Sequence, residues 1–182
     1  MKILFLGYGK DETKLIDFLI SRNHDVTNSS KKIENLSCYD LIISFGYRYI
    51  FKDSQLKNLK RPIINLHVSY LPFNRGSHPN FWAHYEGTPS GVSIHEIDAG
   101  IDTGPIIFQK KTVFDDPKIS LKESYRHLKS ELESLFIQNI NYIELKEYKK
   151  ISKKDIGTYH KKSDLPTWVE WDMSIEHIKN VR

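Results

Sequence analysis

The chain has 182 residues, of which 39% are hydrophobic and 27% charged, and its formal net charge is +4. These proportions are ordinary for a globular protein of one domain. No apolar run approaches the roughly 18 residues that a membrane helix needs. The N-terminal MKILFLGYGK lacks a signal-peptide cleavage pattern, so we expect a cytoplasmic protein without membrane contact.

The basic charge comes mainly from lysine, with lysine pairs at 110–111, 149–150, 153–154 and 161–162. Three interpretations are open: a nucleic-acid surface, a solvated face, or an attraction for a phosphorylated small molecule. So modest a net charge favours the last two over nucleic acid. The single cysteine, Cys38, excludes an internal disulfide and is expected to be a small core residue in a reducing cytoplasm.

The first half of the chain alternates predicted strands and helices. In order, these are a strand at Lys2–Leu6, a helix at about Glu12–Arg22, a strand at HDVTN, a strand within Tyr39–Gly46, a helix at about Asp53–Leu59 and a strand ending at Asn65. This alternation predicts an α/β fold with an open, mostly parallel, Rossmann-like sheet flanked by helices. Ligands of such sheets bind beyond the carboxyl ends of the strands, where Gly46 and Asn65 are expected.

The second half continues the sheet and adds helices. It contains a predicted helix after Pro79, a strand within Ser90–Asp98, a strand in PIIFQKKTVF and a long amphipathic helix from Ser120. Ser120 and Glu123 form a capping-box pattern, and apolar residues at helical spacing indicate a structural helix packed on the sheet. We expect one domain over residues 1–148 and a short basic C-terminal tail over residues 149–182 that packs on it.

Polar residues suited to chemistry concentrate in three segments: INLH, RGSHPNFWAHYEG and SIHEIDAGIDTGP. In the first, Asn65 and His67 alternate onto the same face of a strand. An Asn can donate to an oxygen that gains negative charge, a His moves protons near neutral pH, and an Asp can orient that His. Asn65, His67 and Asp102 would together suit acyl transfer through a tetrahedral oxyanion.

Taken singly, each of these residues has a structural alternative. A His at a strand end is often a satisfied structural group, and an Asp beside glycines is often an Asx-turn residue. Metal ligation is a further hypothesis for His67, His78, His84 and His95, but no pair has the helical spacing of a zinc motif, so no metal is predicted. GYGKDE lacks the third glycine of a dinucleotide fingerprint and the Lys-Ser of a phosphate loop.

The segments INLHVSYLPFNRG and GVSIHEIDAGIDTGPII resemble the folate-dependent formyltransferases, and the resemblance runs from about Tyr39 to Gln109. It implies that Asn65, His67 and Asp102 are the catalytic trio and that 10-formyltetrahydrofolate is the co-substrate. GYRYIF is similar to the backbone wall that holds the pteridine ring in this family. The cofactor-binding residues implied in this way are Gly46, Tyr47, Arg48, Tyr49, Ile50 and Asp98.

Departures from other branches favour the nucleotide-sugar N-formyltransferases. GYGKDETKL replaces the Gly-Ser phosphate loop of the purine-pathway enzymes, and residues 149–182 are too few for the C-terminal barrel of methionyl-tRNA formyltransferase. The implied partner is a nucleotide-linked amino sugar, such as a 4-amino-4,6-dideoxyhexose of O-antigen biosynthesis. The implied substrate-binding residues are Arg75, Gly76, Asn80, Trp82, His95, Lys161 and Lys162. Trp168 or Trp171 could stack on a base, or both could anchor the tail.

Other activities stay open at this level. The region before Tyr39 is shorter than is usual in the family, and a homodimer could supply the missing walls of a nucleotide pocket. The rival hypotheses are formyl transfer to another small amine, a formyltetrahydrofolate hydrolase of the same fold, and a folate-binding or regulatory protein without turnover. The intact set of Asn65, His67 and Asp102 argues against the last.

Overall fold

The computed structural model describes residues 1–151 and 156–181, so the lysine pair 153–154 lies outside the described residues. The strands are β1 (Lys2–Gly7), β2 (Asp25–Ser29), β3 (Leu41–Phe45), β4 (Ile64–His67), β5 (Arg75–Gly76), β6 (Gly91–Glu96), β7 (Ile106–Lys111) and β8 (Tyr159–His160). The helices are α1 (Leu15–Ser21), α2 (Asp53–Lys57), α3 (Pro79–Glu86), α4 (Leu121–Leu145) and α5 (Ile175–Asn180).

Six of the strands form one open sheet in the order β2-β1-β3-β4-β6-β7. The neighbours from β2 to β4 pair in parallel, whereas β6 pairs antiparallel with both β4 and β7. Only β6 therefore runs against the other strands of this sheet. The predicted open, mostly parallel α/β sheet is confirmed.

Both faces of the sheet are covered. β3 is buried along its whole length, as its continuous apolar sequence predicts for a central parallel strand. One face packs against α4 through buried side chains that recur at helical spacing, among them Leu128, Leu132, Phe136 and Ile140. Burying each such side chain contributes roughly 1.5–3 kcal/mol. The predicted capping box forms, because the Ser120 hydroxyl accepts from the Glu123 N–H while the Glu123 carboxylate accepts from the Ser120 N–H.

Two details differ from the sequence-based expectation. α1 begins at Leu15 rather than near Glu12, because the Gly9 carbonyl accepts from the N–H groups of Glu12 and Thr13 and closes a turn there. Cys38 is exposed, so its interpretation as a small core residue was wrong. It lies in an irregular segment between β2 and β3, which packs only Leu36 of its apolar residues fully into the core.

The C-terminal part of the chain returns to the main body at two places. β8 pairs in parallel with β5, so Tyr159 and His160 lie beside Arg75 and Gly76. Further on, the Met173 carbonyl accepts from the first N–H of α4, and α5 packs on α3. The boundary at residue 148 stays a prediction. In the described part of the chain, no helix has the length and apolar character that crossing a membrane requires.

Candidate active site

A cleft of about 780 Å³ lies beyond the carboxyl ends of β3 and β4. Its walls come from three segments: residues 46–51 after β3, residues 97–102 between β6 and β7, and residues 159–162, which include β8. A volume of this size is typical of small-molecule sites. This is the edge of the sheet at which the sequence predicts Gly46 and Asn65.

Asn65 lies on the floor of this cleft, opposite His95 in the antiparallel register of β4 and β6. Its side-chain Nδ2 is 3.0 Å from Nε2 of His95 and 3.4 Å from Oδ1 of Asp102. Nδ1 of His95 is 2.8 Å from the Glu96 carbonyl oxygen and donates to it. With Nδ1 donating to the Glu96 carbonyl, Nε2 of His95 can accept from the Asn65 amide and fix the orientation of that amide.

Asp102 brings the separate segments together. Its backbone has the left-handed φ of 52°, which Asp tolerates better than most residues. Its Oδ2 accepts from the Gly76 N–H at 2.8 Å and lies 3.6 Å from Nε2 of His67. Burial opposes ionisation of the Asp102 carboxyl, but the charge that His67 acquires at low pH, the adjacent His95 ring and the Gly76 N–H outweigh it and lower its pKa strongly.

His67 is a buried ring in a low-dielectric setting. Burial lowers its pKa below the usual 6.5, against the opposing effect of the Asp102 carboxylate. Its Nε2 also lies 3.4 Å from the Asn74 carbonyl oxygen, so two acceptors face the same nitrogen. The ring is therefore neutral at pH 7, and its protonated form has acceptors ready to stabilise it.

The group can stabilise an oxyanion and move a proton within one small volume. Both Asn65 hydrogens are engaged within the protein, but the 3.4 Å contact with Asp102 is long and leaves that donor available. Neutral His67 can take a proton, and Asp102 stays ionised to stabilise the resulting cation. These are the capabilities that acyl transfer to an amine requires.

The predicted cofactor-binding segment forms one wall of the cleft. Gly46 has φ of +72°, and a Cβ there would meet the ring of Tyr8, so the close approach requires glycine. Tyr47 stacks on Phe51 at 5.5 Å between ring centroids, which anchors the segment from behind. Tyr49 and Ile50 line the cleft and are 47% and 72% exposed. An exposed apolar rim of this kind suits a flat heteroaromatic ring.

The remaining predicted residues divide into two groups. Those that line the cleft are Arg48, Gly76, His95, Asp98, Lys161 and Lys162. His95 is only 1% exposed and is held by Asn65 and Glu96, so it supports the trio instead of offering a free contact to substrate. Asp98 accepts from the Gly100 N–H and the Thr103 hydroxyl, the Asx-turn role that its neighbouring glycines suggested as an alternative.

Three predicted substrate contacts do not line the cleft. Arg75 donates through Nε to the Thr158 carbonyl. Asn80 is 2% exposed, and its amide donates to the Leu121 carbonyl and the Ser124 hydroxyl, so it joins α3 to α4. Trp82 stacks on His160 with 3.9 Å between centroids and supports the tail segment from beneath. Asn80 and Trp82 thus have packing partners outside the cleft, Asn80 also borders a second cavity, and their contact with substrate stays a prediction.

The sequence analysis missed a second cavity of about 510 Å³. It lies between the start of α3, α4 and the tail, and it is bounded in part by His78, Lys122, Tyr125, Arg126, Lys129 and Trp171. His78 lines both this cavity and the cleft. Lys122, Arg126 and Lys129 follow helical spacing along one face of α4, a signal that the interpretation of α4 as purely structural overlooked.

Among residues 1–151 and 156–181, no three His, Cys, Asp or Glu side chains are arranged to hold a metal ion. The His67–His95–Asp102 set is linked by hydrogen bonds and ion-pair distances of its own.

The sequence matches a known protein family over most of its length. The sequence model of the family described as formyl transferase matches residues 9–140, which include all three members of the trio. The chain belongs to the formyl transferase family. The match covers β3, β4, β6 and most of α4, the elements that position the cleft.

The solved structures include a formyl transferase similar over nearly the whole chain. The formyltransferase PseJ from Anoxybacillus kamchatkensis, in complex with UDP-4,6-dideoxy-4-formamido-L-AltNAc and tetrahydrofolate, has a TM-score of 0.89 and 37% identity. The alignment covers 98% of each chain.

Curated relatives match over shorter segments. A dTDP-4-amino-4,6-dideoxyglucose formyltransferase of Mycobacterium bovis is 35% identical over 77 residues, 42% of this chain and 32% of the relative. A GDP-perosamine N-formyltransferase of Brucella melitensis is 32% identical over 90 residues, 49% of this chain and 35% of the relative. The present chain thus spans about a third of the length of these two proteins.

Proposed function

We propose that this formyl transferase moves a formyl group from 10-formyltetrahydrofolate to the amine of a nucleotide-linked amino sugar. The observation that carries the proposal is the joining of Asn65, His67 and Asp102 in one cleft, within 3.4–3.6 Å of one another through Asp102. The similarity to PseJ, whose crystal structure holds a UDP-linked formamido sugar and tetrahydrofolate, supports the choice of both substrates.

The reaction follows from the chemistry of the three residues. The unprotonated amine nitrogen attacks the formyl carbon, and Asn65 donates to the oxygen that becomes negative; His67 can donate to that oxygen only after it has been protonated. His67 accepts the proton lost by the amine, and Asp102 stabilises the imidazolium while it exists. Collapse of the tetrahedral intermediate breaks the bond from the formyl carbon to N10, which receives the proton, and releases tetrahydrofolate. Donors held in place before reaction are worth roughly 10²–10³ in rate each.

The walls of the cleft suit the two substrates. The glycine at position 46 and the exposed side chains of Tyr49 and Ile50 are suited to the pteridine ring. On the opposite wall, Lys161 and Lys162 carry positive charge beside Gly76, where the sugar and its phosphates would enter. Asp98 holds the 97–102 loop in shape through Gly100 and Thr103 and contributes to folate binding by that route.

The test is a product assay with defined substrates. Purified protein is incubated with 10-formyltetrahydrofolate and one of several amino sugars linked to UDP, dTDP or GDP, and the formylated sugar is detected by mass spectrometry. We expect one sugar to gain the mass of a formyl group while tetrahydrofolate forms in equal amount. Asn65→Ala should lower that rate by roughly 10²–10³ without loss of fold.

Control reactions separate the rival activities. Release of formate in the absence of any amine would identify a formyltetrahydrofolate hydrolase and contradict the proposal. Formylation of a free amino sugar, but of none of its nucleotide-linked forms, would show that the substrate is the free sugar and contradict the proposed nucleotide-linked substrate. Folate binding without turnover in any reaction would support a binding or regulatory role.

Three further predictions accompany this function. The enzyme is expected to work in the cytoplasm, where reduced folates and sugar nucleotides are made, to act without nucleic acid or a membrane, and to contribute to O-antigen synthesis. Fractionation of the source cells tests the first. A homodimer stays a prediction, and sedimentation at working concentration tests it.

A further inference from the structure

We propose that Thr158 of the C-terminal tail is a positioning residue for His67, and that it acts through the backbone of Asn74. This inference rests on the proposed function, because it concerns how the base of that reaction is held in place. It gives the tail a part in catalysis that is separate from contact with substrate, since Thr158 does not line the cleft.

Asn74 is the link between His67 and the tail. It is fully buried and has a left-handed φ of 55°, which asparagine tolerates better than most residues. Its carbonyl oxygen lies 3.4 Å from Nε2 of His67. Because a carbonyl oxygen can only accept, this contact requires a proton on Nε2 and leaves the lone pair of the neutral ring on Nδ1. The carbonyl therefore favours one tautomer of the base and stabilises the imidazolium that forms from it.

Threonine hydroxyls hold Asn74 on two sides. Oγ1 of Thr158 accepts from the Asn74 N–H at 2.8 Å and donates to its Oδ1 at 3.0 Å. On the other side, Nδ2 of Asn74 donates to Oγ1 of Thr88 at 2.8 Å. The single hydroxyl of Thr158 thus fixes both the backbone and the side chain of Asn74, and with them the direction of the carbonyl that faces His67.

The tail is itself tied to the turn that carries Asn74. The Thr158 carbonyl accepts from the Arg75 N–H at 3.0 Å, and the His160 carbonyl accepts from the Ser77 N–H at 2.9 Å. These two backbone bonds place the Thr158 hydroxyl against Asn74. The tail therefore acts as a fixed support for this turn.

The groups around His67 give the contact a measurable consequence. Burial lowers the pKa of His67, the Asp102 carboxylate raises it, His95 lowers it, and the Asn74 carbonyl raises it. Displacing the carbonyl should therefore lower this pKa further. Since activity requires the neutral ring, the acid limb of the rate would move to lower pH. A residue that only stabilised the fold would leave that limb in place.

The first experiment observes the His67 ring without substrate, so it does not depend on the proposed function. NMR of protein with isotopically labelled histidine, near pH 7, detects the Nε2–H proton, and His67→Gln assigns its signal. We expect the signal in the wild type and in Thr158→Ser, which keeps the hydroxyl. In Thr158→Val, which removes it, the signal should move upfield or be lost to exchange with water.

The second experiment measures formyl transfer. Misplacing a reacting group by about 1 Å can cost roughly 10²-fold in rate, so Thr158→Val should lower kcat by about ten- to hundred-fold. The KM values of both substrates should change little, because the lost hydroxyl bonds to Asn74 and not to a wall of the cleft. The acid limb of kcat/KM should move to lower pH. Thr158→Ser should restore both kcat and the acid limb.

Two other threonines serve as matched variants. Thr112→Val removes a buried hydroxyl that donates to Glu131, outside the cleft, and should leave the His67 signal and kcat unchanged. Thr88→Val releases the Asn74 amide without altering the tail, so it should move the same signal in the same direction. This second variant keeps the proposal testable if Thr158→Val folds poorly.

Each contrary outcome has a defined meaning. A His67 signal that is unchanged in both Thr158→Val and Thr88→Val would overturn the positioning role. Absence of the signal from the wild type would also overturn it, because Nε2 would then carry no proton for the Asn74 carbonyl. A lower kcat with an unmoved acid limb and no rescue by serine would show that Thr158 is only structural. A signal displaced as expected, in a protein that formylates no amine, would support the positioning role and contradict the proposed function alone.

Discussion

Gly76 donates its backbone N–H to Oδ2 of Asp102 over 2.8 Å, across 26 positions of sequence. The same glycine pairs with His160 in the β5–β8 ladder. One residue therefore joins the loop that carries Asp102 to the C-terminal tail. Displacing this turn should disturb both the Asp102 carboxylate and the wall of the cleft that the tail supplies.

Substituting Gly76 should damage stability and catalysis together. Its φ of +88° is unfavourable for alanine, and a Cβ would run into the His160 carbonyl oxygen. We expect Gly76→Ala to cost about 1–3 kcal/mol in unfolding free energy and to lower kcat/KM. Gly9→Ala is the matched control, because the nearest atom to a Cβ there is 3.8 Å away and that glycine lacks a positive φ. Denaturant unfolding and steady-state kinetics measure both variants, and equal stability of the two would refute the strain argument.

Alanine substitutions of Asn65 and Asn80 should have opposite effects, the first on turnover and the second on stability. Asn65→Ala removes an oxyanion donor, and we expect turnover to fall by roughly 10²–10³ while the melting temperature changes little. Asn80→Ala removes one of the two side-chain donors to the buried Leu121 carbonyl and the amide that donates to the Ser124 hydroxyl, which costs about 1–3 kcal/mol of stability. The folded fraction of Asn80→Ala should keep nearly normal kinetic constants. Normal turnover in Asn65→Ala would contradict its catalytic assignment.

Asp102→Asn should change both the size and the pH dependence of the rate. The Asp102 carboxylate raises the pKa of His67, so its neutralisation lets burial lower that pKa further. Activity that requires neutral His67 is lost as pH falls through this pKa. We therefore expect the acid limb of kcat/KM, already below pH 6.5, to move to lower pH while the plateau falls by roughly 10²–10⁴. A lower plateau with an unmoved acid limb would indicate a purely structural role.

His84 should make the fold sensitive to acid. Burial, with a smaller effect of Lys179, lowers the pKa of His84 to about 4, and its Nε2 has no hydrogen-bond partner among the described residues. Because the folded-state pKa is depressed, the neutral ring contributes fully above pH 6.5, and stability falls as pH drops towards 4. A shift of this size predicts a loss of about 2 kcal/mol between pH 7 and about 4.5.

The matched variant for this prediction is His84→Gln, which stays neutral throughout that range. Denaturant midpoints at the two pH values should differ less in the variant than in the wild type. An identical pH dependence in both proteins would mean that His84 does not cause the acid sensitivity.

The local sequence was sufficient to predict much of the molecule. The spacing of apolar residues, and the turn residues between apolar runs, predicted nearly every strand of the sheet. The signal is local because a buried parallel strand such as β3 must be continuously apolar. The Ser120–Glu123 capping box located the start of α4, since this interaction spans only three residues. Asn65 and His67 could be assigned to one strand face for the same local reason.

Contacts between distant segments decided the rest. The sequence RGSHPNFW is one continuous polar and aromatic segment, yet Gly76 donates to the Asp102 carboxylate while Asn80 is buried against α4. The helical start at Pro79, which rotates successive side chains by about 100° each, separates these two roles. This rotation buries Asn80 only because α4 packs against that side of the helix.

The sequence by itself determined the sheet, the capped helix and the identity of the chemical groups, because these depend on neighbouring residues and on side-chain type. Only the tertiary structure decided which of those groups meet. Asp102 reaches His67 because β6 lies beside β4, and Trp171 borders Arg126 because the tail is hydrogen-bonded to the start of α4. Burial then lowers the pKa of His67, and the sequence alone could not predict this because burial depends on the segments that pack around the ring.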